Sequence, residues 1–584
     1  MPDSNFVEIN PMKTLKQFIV TKLFLFMLAP SVMAQSIISQ LDRFSPVEAK
    51  NGMVATAEPI ATQVGIDVLK RGGNAIDAAV TIGFVMAVTY PRAGNIGGGG
   101  FMLVYSAKTG QVVAIDYREM APARAYQKMF LDSEGNLDTQ VSQFSHRSAG
   151  VPGTVAGLAW ALEKYGTLSL AEALAPAIQL ADEGFVITPQ LSRDLKSRAH
   201  IFELWPASRA IFLKPNGEFY EAGERLFQKD LASTLKMIAE KGIKAFYQGK
   251  IADLIVKEME AQGGLINRTD LANYQPAIRH PVHGIYRGYD IYSMSPPSSG
   301  GVHIVQMLNL LEPYNIGDLG HNSAATIHLM TEAMKRAFAD RSKYLADPDF
   351  IQVPTEGLIA KDYANLLRMA IDPTKTIASQ DIWPGPPPGY ESHETTHFSV
   401  VDKAGNAISN TYTLNFSFGS GIVVPGTGFL LNNEMDDFTS KPGEPNGFGL
   451  IGSIANIIEP QKRMLSSMSP TMVLKEGKPF IVTGTPGGSM IITVTLQVIM
   501  NVIDHKMNIQ EAVNATRIHH QWLPDELRVE QGLSKDTLQQ LKTLGHNVVR
   551  NSSMGGASSI LIDEEREVYY GAADPRKAGF ALGY

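Results

Sequence analysis

Apolar side chains at Ile60, Val64, Val68 and Leu69 fall at helical spacing and line one face of a helix over residues 58–69. The next stretch, 75–90, is apolar almost throughout, but Asp77 and Thr81 lie within it and Arg71 and Arg92 flank it. That pattern predicts a buried helix, not a membrane span. Residues 101–106 and 112–117 surround Lys108-Thr109-Gly110 and predict two strands joined by a turn, with Arg118 at a strand end where it can face a cleft. The long middle, about 153–371, alternates helix-like stretches such as 168–184 and 327–344 with polar turns. It predicts a mainly helical outer covering. After a proline- and glycine-rich run, 383–389, a second strand–turn–strand pattern begins at Thr395 and returns through Ala407 to Asn415. Such a hairpin brings Thr413 and Asn415 back beside Thr395. Periodicity alone gives mixed α and β.

Charge narrows the partners. The 584 residues carry 51 basic and 58 acidic side chains, a formal charge of −7, with no concentrated basic run. Nucleic acid is not an expected partner, and the expected ligand is small. A length of roughly 150 residues per domain suggests about four domains, but no low-complexity linker divides the middle, so one compact, intertwined body is expected. The absence of cysteine excludes disulfides and thiolate chemistry. Lys13, Lys16 and Lys22 precede the apolar run 23–29, and Val32-Met33-Ala34 precedes Gln35, which is a signal-peptide pattern. The apolar run is well short of the roughly 20 residues a spanning helix needs. A cleavable leader, residues 1–34, and a periplasmic or secreted chain without a stable membrane anchor are expected. Initiation at Met1 or at Met12 gives the same mature chain.

Several candidate chemistries are excluded by spacing. Gly97 to Gly100 precede a strand and no Gly-Lys-Ser/Thr follows, so close backbone approach is expected there rather than a nucleotide site. Ser298 and Ser299, with His303 nearby, lack a G-x-S-x-G elbow, so a turn role is expected. His519 and His520 are adjacent rather than spaced along one helical face, and no HExxH accompanies them; no metal and no cofactor are expected. Thr395-Thr396-His397-Phe398-Ser399 is different. On its own it fits an ordinary strand start. A threonine hydroxyl is a weak nucleophile at neutral pH, but at the head of a chain it lies beside an α-amino group of pKa about 7.7–8.0 that can act as its base. One backbone cut between Glu394 and Thr395 would make both groups. His397, two residues on, reads as structural.

Further motifs decide between these readings. They are PRAGNIGGGGFM at 91–102, Asp116-Tyr117-Arg118-Glu119, PPSSGG at 296–301, LNNEMDDF at 431–438, LSSMSP at 465–470, TGTPGGS at 483–489, HHQWLP at 519–524 and Asp574-Pro575-Arg576. In this order they resemble the γ-glutamyltranspeptidase family of N-terminal-nucleophile (Ntn) hydrolases, which cut themselves at a threonine. The resemblance spans nearly all of the chain after the first few dozen residues. It implies an α+β fold, the four-layer αββα sandwich, and a precursor that yields a large subunit, 35–394, and a small subunit, 395–584, which remain together as a heterodimer. It further implies that Thr395 attacks glutathione and other γ-glutamyl compounds, passing the acyl group to water or to amino acid or peptide acceptors. Gly487 and Gly488 match the oxyanion hole. Arg118, Ser466 and Ser467 match the binders of the substrate α-carboxylate, and Asn415, Glu434 and Asp437 those around its ammonium. Thr413 matches a second threonine that supports processing, and Asp436 reads as a solvent-facing or turn-stabilising neighbour.

Three departures stand out. Phe448, in the lid at 442–451, replaces a tyrosine of some relatives and removes a hydroxyl hydrogen bond, so a more mobile lid is expected. Met464 stands where proline is common and removes a backbone restraint beside the carboxylate site. Glu434 replaces a glutamine and adds negative charge near the ammonium. Two other readings compete. A glutaryl-cephalosporin (β-lactam) acylase of the same fold is opposed by the ammonium-binding set, because a glutaryl group has no α-amino group. A non-catalytic γ-glutamyl-binding protein is opposed by the joint presence of Thr395, Thr413, Gly487 and Gly488.

Overall fold

The apolar stretch after Arg71 forms the helix Ala75–Thr89, and all 15 of its residues are buried. Asn74 caps it by accepting the N–H groups of Ile76 and Asp77, while Asp77 reaches back to the Asn74 N–H, a reciprocal box that satisfies otherwise orphaned donors. The preceding helix, Pro59–Lys70, shares its apolar cluster. The computed structural model describes residues 45–385 and 396–584. The expected leader and the pair Glu394–Thr395 lie outside these residues.

Two seven-stranded sheets form the centre. One runs, edge to edge, Phe580–Gly583, Met53–Thr56, Thr396–Val401, Ala407–Thr413, Gly99–Ser106, Gln111–Tyr117, Ala277–Arg279. The other runs Val47–Ala49, Val568–Ala573, Ser558–Asp563, Lys478–Thr483, Thr471–Lys475, Tyr289–Ser293, Val282–Tyr286. Strand side chains alternate between faces. Thus Met53, Ala55, Phe101 and Leu103 meet Met472, Leu474, Val482 and Ile560 between the sheets. Val54, Met102, Val104 and Val400 face the helices Pro59–Lys70 and Ala75–Thr89. Val473 and Ile481 face Gly300–Leu311, Ala324–Tyr344 and Met490–Ile503. The result is the αββα sandwich. A one-residue slip in any central strand would exchange its two buried faces, which fixes the register strongly.

The hairpin expected after the proline-rich run is present. Thr396–Val401 pairs antiparallel with Ala407–Thr413, from Thr396 opposite Tyr412 to Val401 opposite Ala407. Asp402 closes the turn by accepting the N–H groups of Ala404 and Asn406. Both hairpin strands lie inside the sheet, between Met53–Thr56 and Gly99–Ser106. Segments from both ends of the chain therefore share one hydrogen-bonded sheet.

The helical stretches of the middle region appear as Leu170–Glu183 and Ala324–Tyr344, but that region is not only a covering. It also contributes Ala277–Arg279, Val282–Tyr286 and Tyr289–Ser293, which extend both sheets to an edge. These strands are short and partly exposed, and Tyr289–Ser293 is held by Thr471–Lys475, far away in sequence. Such tertiary pairing leaves little local signal.

Candidate active site

Arg118 follows the strand Gln111–Tyr117 and is completely buried rather than facing an open cleft. Its Nη1 donates to Glu434 Oε2 at 2.5 Å and its Nη2 to Asp437 Oδ2 at 2.6 Å. Nε and Nη2 also reach the carbonyl oxygens of Met464 and Leu465, each at 3.2 Å. The 3-10 turn Glu434–Asp437 presents both carboxylates to one guanidinium, whose planar fork suits two separate acceptors. Sequence reading assigned Arg118 to one pole of a ligand and Glu434 with Asp437 to the other; the fold ties the two sets directly. Burial works against the charge of Arg118, but Glu434, Glu119 and Asp437 outweigh it and hold the guanidinium protonated. Burial raises the pKa of both Glu434 and Asp437, with Arg118 opposing.

Glu119 is a member of this cluster that motif reading passed over. It lies 3.6 Å from Arg118, and neither carboxylate oxygen has a hydrogen-bond partner among the described residues. Burial pushes it up to about 8, against the pull of Arg118. Its position beside Arg118 in the DYRE motif was the only available signal, and burial is not visible in four letters.

The serine pair is built from the two sides of a loop contact. The Ser466 N–H donates to Pro297 O at 3.0 Å and the Ser466 carbonyl accepts the Ser299 N–H at 3.1 Å. The Ser298 hydroxyl donates to Met468 O at 2.6 Å. The PPSSGG segment is thus a backbone support for Ser466 and Ser467. His303 bonds Gln306 at 2.9 Å, and burial drives it down to about 3. Burial holds the ring neutral, and its Nδ1 is engaged by Gln306. The Ser467 hydroxyl is buried and has no partner among the described residues. Met464 is buried and offers its carbonyl to Arg118.

A cavity of about 340 Å³ is lined by Thr413, Asn415, Phe416, Phe448, Gly487 and Gly488 among others. Thr413 ends its strand, and its Oγ1 accepts the Asn415 N–H at 2.8 Å. Asn415 adopts φ +76°, a left-handed conformation that asparagine tolerates better than most residues. Its Nδ2 donates to the Asn433 carbonyl at 2.9 Å, next to Glu434, which links the cavity to the Arg118 cluster. Gly487 and Gly488 have φ +136° and +67°, where a side chain would be strained. Their carbonyls accept the N–H groups of Met490 and Ile491, so this turn opens the helix Met490–Ile503, whose N-terminal end favours negative charge.

The glycine run sets the position of Thr413. Asn95 donates to the Thr413 carbonyl at 2.7 Å and accepts the Gly98 N–H at 2.9 Å; it is a second supporting residue the motifs did not single out. A Cβ on Gly98 would stand 1.9 Å from the Thr413 carbonyl oxygen, and one on Gly97 2.1 Å from that of Leu430. Close approach is therefore the role of this run. Gly98→Ala is expected to cost roughly 3 kcal/mol or more and to displace Thr413, read as a lower melting temperature and slower precursor cleavage. An unchanged melting temperature would refute the clash.

Asp436 is not solvent-facing. It is buried, which pushes it up to about 6, and it accepts from Ser142, Gln143 and the Gly447 N–H at 3.1, 3.3 and 3.0 Å. It fastens the segment 442–451 through Gly447, as Asp437 does through Asn446 at 3.3 Å. Phe448 meets Phe416 edge to face, with ring centroids 5.2 Å apart, so an aromatic contact stands where no hydroxyl bond was expected. His397 is buried between Thr411 and Ser399, and burial takes it to about 3. It is a neutral structural group.

Two facing sheets, helices on both outer faces and a threonine-led hairpin within one sheet define the class: an αββα sandwich of the Ntn-hydrolase type. The family description "Gamma-glutamyltranspeptidase" matches residues 61–584, and the chain belongs to that family. It is 53% identical over 536 residues to the glutathione hydrolase proenzyme of Escherichia coli (strain K12), covering 92% of each chain. It is 48% identical over 550 residues to the glutathione hydrolase proenzyme of Pseudomonas sp. (strain A14), covering 92% of this chain and 95% of that one. Among solved structures, the cephalosporin acylase from Bacillus halodurans superposes with a TM-score of 0.83 at 30% identity, over 93% of this chain and 97% of the other.

Proposed function

We propose that this chain is a self-processing γ-glutamyltransferase and glutathione hydrolase whose nucleophile is Thr395. The observation that carries the reading is the junction of Arg118, Glu434 and Asp437 with the loop of Ser466 and Ser467. A γ-glutamyl group brings one carboxylate and one ammonium on the same carbon. A buried cation held between carboxylates can exchange partners with such a zwitterion without changing the net charge of the site, which limits the desolvation cost. Arg118 and the serine hydroxyls would take the carboxylate, and Asn415, Glu434 and Asp437 the ammonium.

In the precursor, the Thr395 hydroxyl attacks the carbonyl carbon of Glu394, the acyl group moves from nitrogen to oxygen, and water hydrolyses the ester. A large chain, 35–394, and a small chain, 395–584, result once the leader 1–34 is removed on export. Thr396 pairs with Tyr412, the residue before Thr413. In the processed enzyme Thr395 attacks the γ-amide carbonyl, and its α-amino group carries the proton to the leaving amine. The N–H groups of Gly487 and Gly488 would receive the oxyanion. Water or an amino acid or peptide then takes the acyl group from Thr395.

Intact-mass analysis of the purified protein, with release of aniline from γ-glutamyl and glutaryl anilides, tests this reading. Chains beginning at Gln35 and Thr395, and γ-glutamyl release at least tenfold faster than glutaryl, as expected from loss of buried polar contacts to the missing ammonium, would support it. Faster glutaryl release would favour the acylase. An uncut chain that binds glutathione without turnover would favour a binding protein.

A further inference from the structure

The motif His519-His520-Gln521-Trp522-Leu523-Pro524 takes no part in the reaction above, yet it stands between two parts of the site. Gln521 is buried. Its Oε1 accepts from the Ser489 hydroxyl at 2.7 Å and lies 3.0 Å from His519 Nε2. Its Nε2 donates to the carbonyls of Gly449 and Phe448 at 3.2 and 3.4 Å, and to that of Leu523 at 3.4 Å. The amide orientation follows from chemistry, because carbonyl oxygens only accept and the NH₂ end must face them. Thr493, on the helix Met490–Ile503, bonds His519 Nδ1 at 2.9 Å and fixes the ring that flanks the amide oxygen.

The two ends of this amide belong to different walls of one cavity. Ser489 directly follows Gly487 and Gly488, while Phe448 belongs to the lid, and Phe448, Gly487 and Gly488 line the same space. We propose that Gln521 is a positioning residue that joins the lid to the oxyanion turn, so that placement of the lid and the aim of the Gly487 and Gly488 N–H groups are set together. A γ-glutamyl compound that seats the lid would then also set the donors for the next step. The inference rests on the reading of Gly487 and Gly488 as oxyanion donors.

The test uses processed enzyme, hydrogen exchange of residues 446–450 followed by mass spectrometry, and steady-state γ-glutamyl anilide hydrolysis. Ser489→Ala removes the far end of the join and no atom of the lid. It is expected to speed lid exchange severalfold and to lower kcat roughly fivefold, about the worth of one neutral hydrogen bond. Ser489→Thr, which keeps the hydroxyl, is expected to restore both. Gln521→Glu keeps the acceptor for Ser489 but sets oxygen against the lid carbonyls, so KM is expected to rise more than kcat falls. If Ser489→Ala leaves lid exchange at the wild-type rate while Gln521→Glu speeds it, Gln521 fastens the lid alone and the join is overturned. If Ser489→Ala loosens the lid and kcat holds, the join stands and the oxyanion reading of the glycine turn falls.

Discussion

Thr395→Ala is expected to leave the purified protein as one uncut chain and to lower γ-glutamyl anilide hydrolysis by roughly 10⁵-fold or more, the scale seen when a covalent nucleophile is removed. The two losses have one cause. On the proposed reading the hydroxyl attacks both in the cut after Glu394 and in acyl transfer, and without the cut no α-amino group would exist to act as base. Thr395→Ser keeps the hydroxyl and loses only a methyl group, so it is expected to process and turn over at reduced rates. Intact mass and aniline release read both variants. Cleavage of the alanine variant at the wild-type rate would remove Thr395 from the mechanism. Ser298 would not replace it readily, since its hydroxyl is bound to Met468 and Gly300.

The parts of the fold that could be read from the sequence are those with one continuous environment. Residues 75–89 are apolar because every face of that helix is buried, and the strand Gly99–Ser106 lies in a sheet with both faces covered. The edge strands between 277 and 293 have mixed exposure and take their order from distant partners, so no local pattern marks them. The site was legible as a set of motifs but not as a network. Asp436 and Asp437 are identical neighbours; the 3-10 turn sends one to Ser142 and Gly447 and the other to Arg118. Glu119 and Asn95 matter through what they touch, and those contacts lie across the fold. Spacing in the chain carries no record of an ion pair between residues 118 and 434.

Arg118→Met is expected to abolish measurable γ-glutamyl turnover and to destabilise the fold by about 3–5 kcal/mol, the usual cost of leaving a buried charge without its partner. Arg118→Lys keeps one positive charge but cannot span Glu434, Asp437 and two carbonyl oxygens at once, so a loss of about 10²- to 10³-fold in kcat/KM is expected, mostly through KM. The pH dependence of stability separates the charge from the packing. Burial already raises the pKa of Glu434 and Asp437 while Arg118 pulls them down; removing the arginine raises both further. A carboxyl group whose folded pKa lies above its unfolded value near 4 stabilises fully below that value, and the contribution is lost as pH rises through the folded pKa. The melting temperature of Arg118→Met should therefore fall furthest below wild type at neutral pH and approach it as pH is lowered toward about 4. Calorimetry across that range is the check. A gap that stays constant with pH would mean that Arg118 acts there by packing alone, and the account of a cation exchanged between carboxylates and a zwitterionic substrate would have to be abandoned.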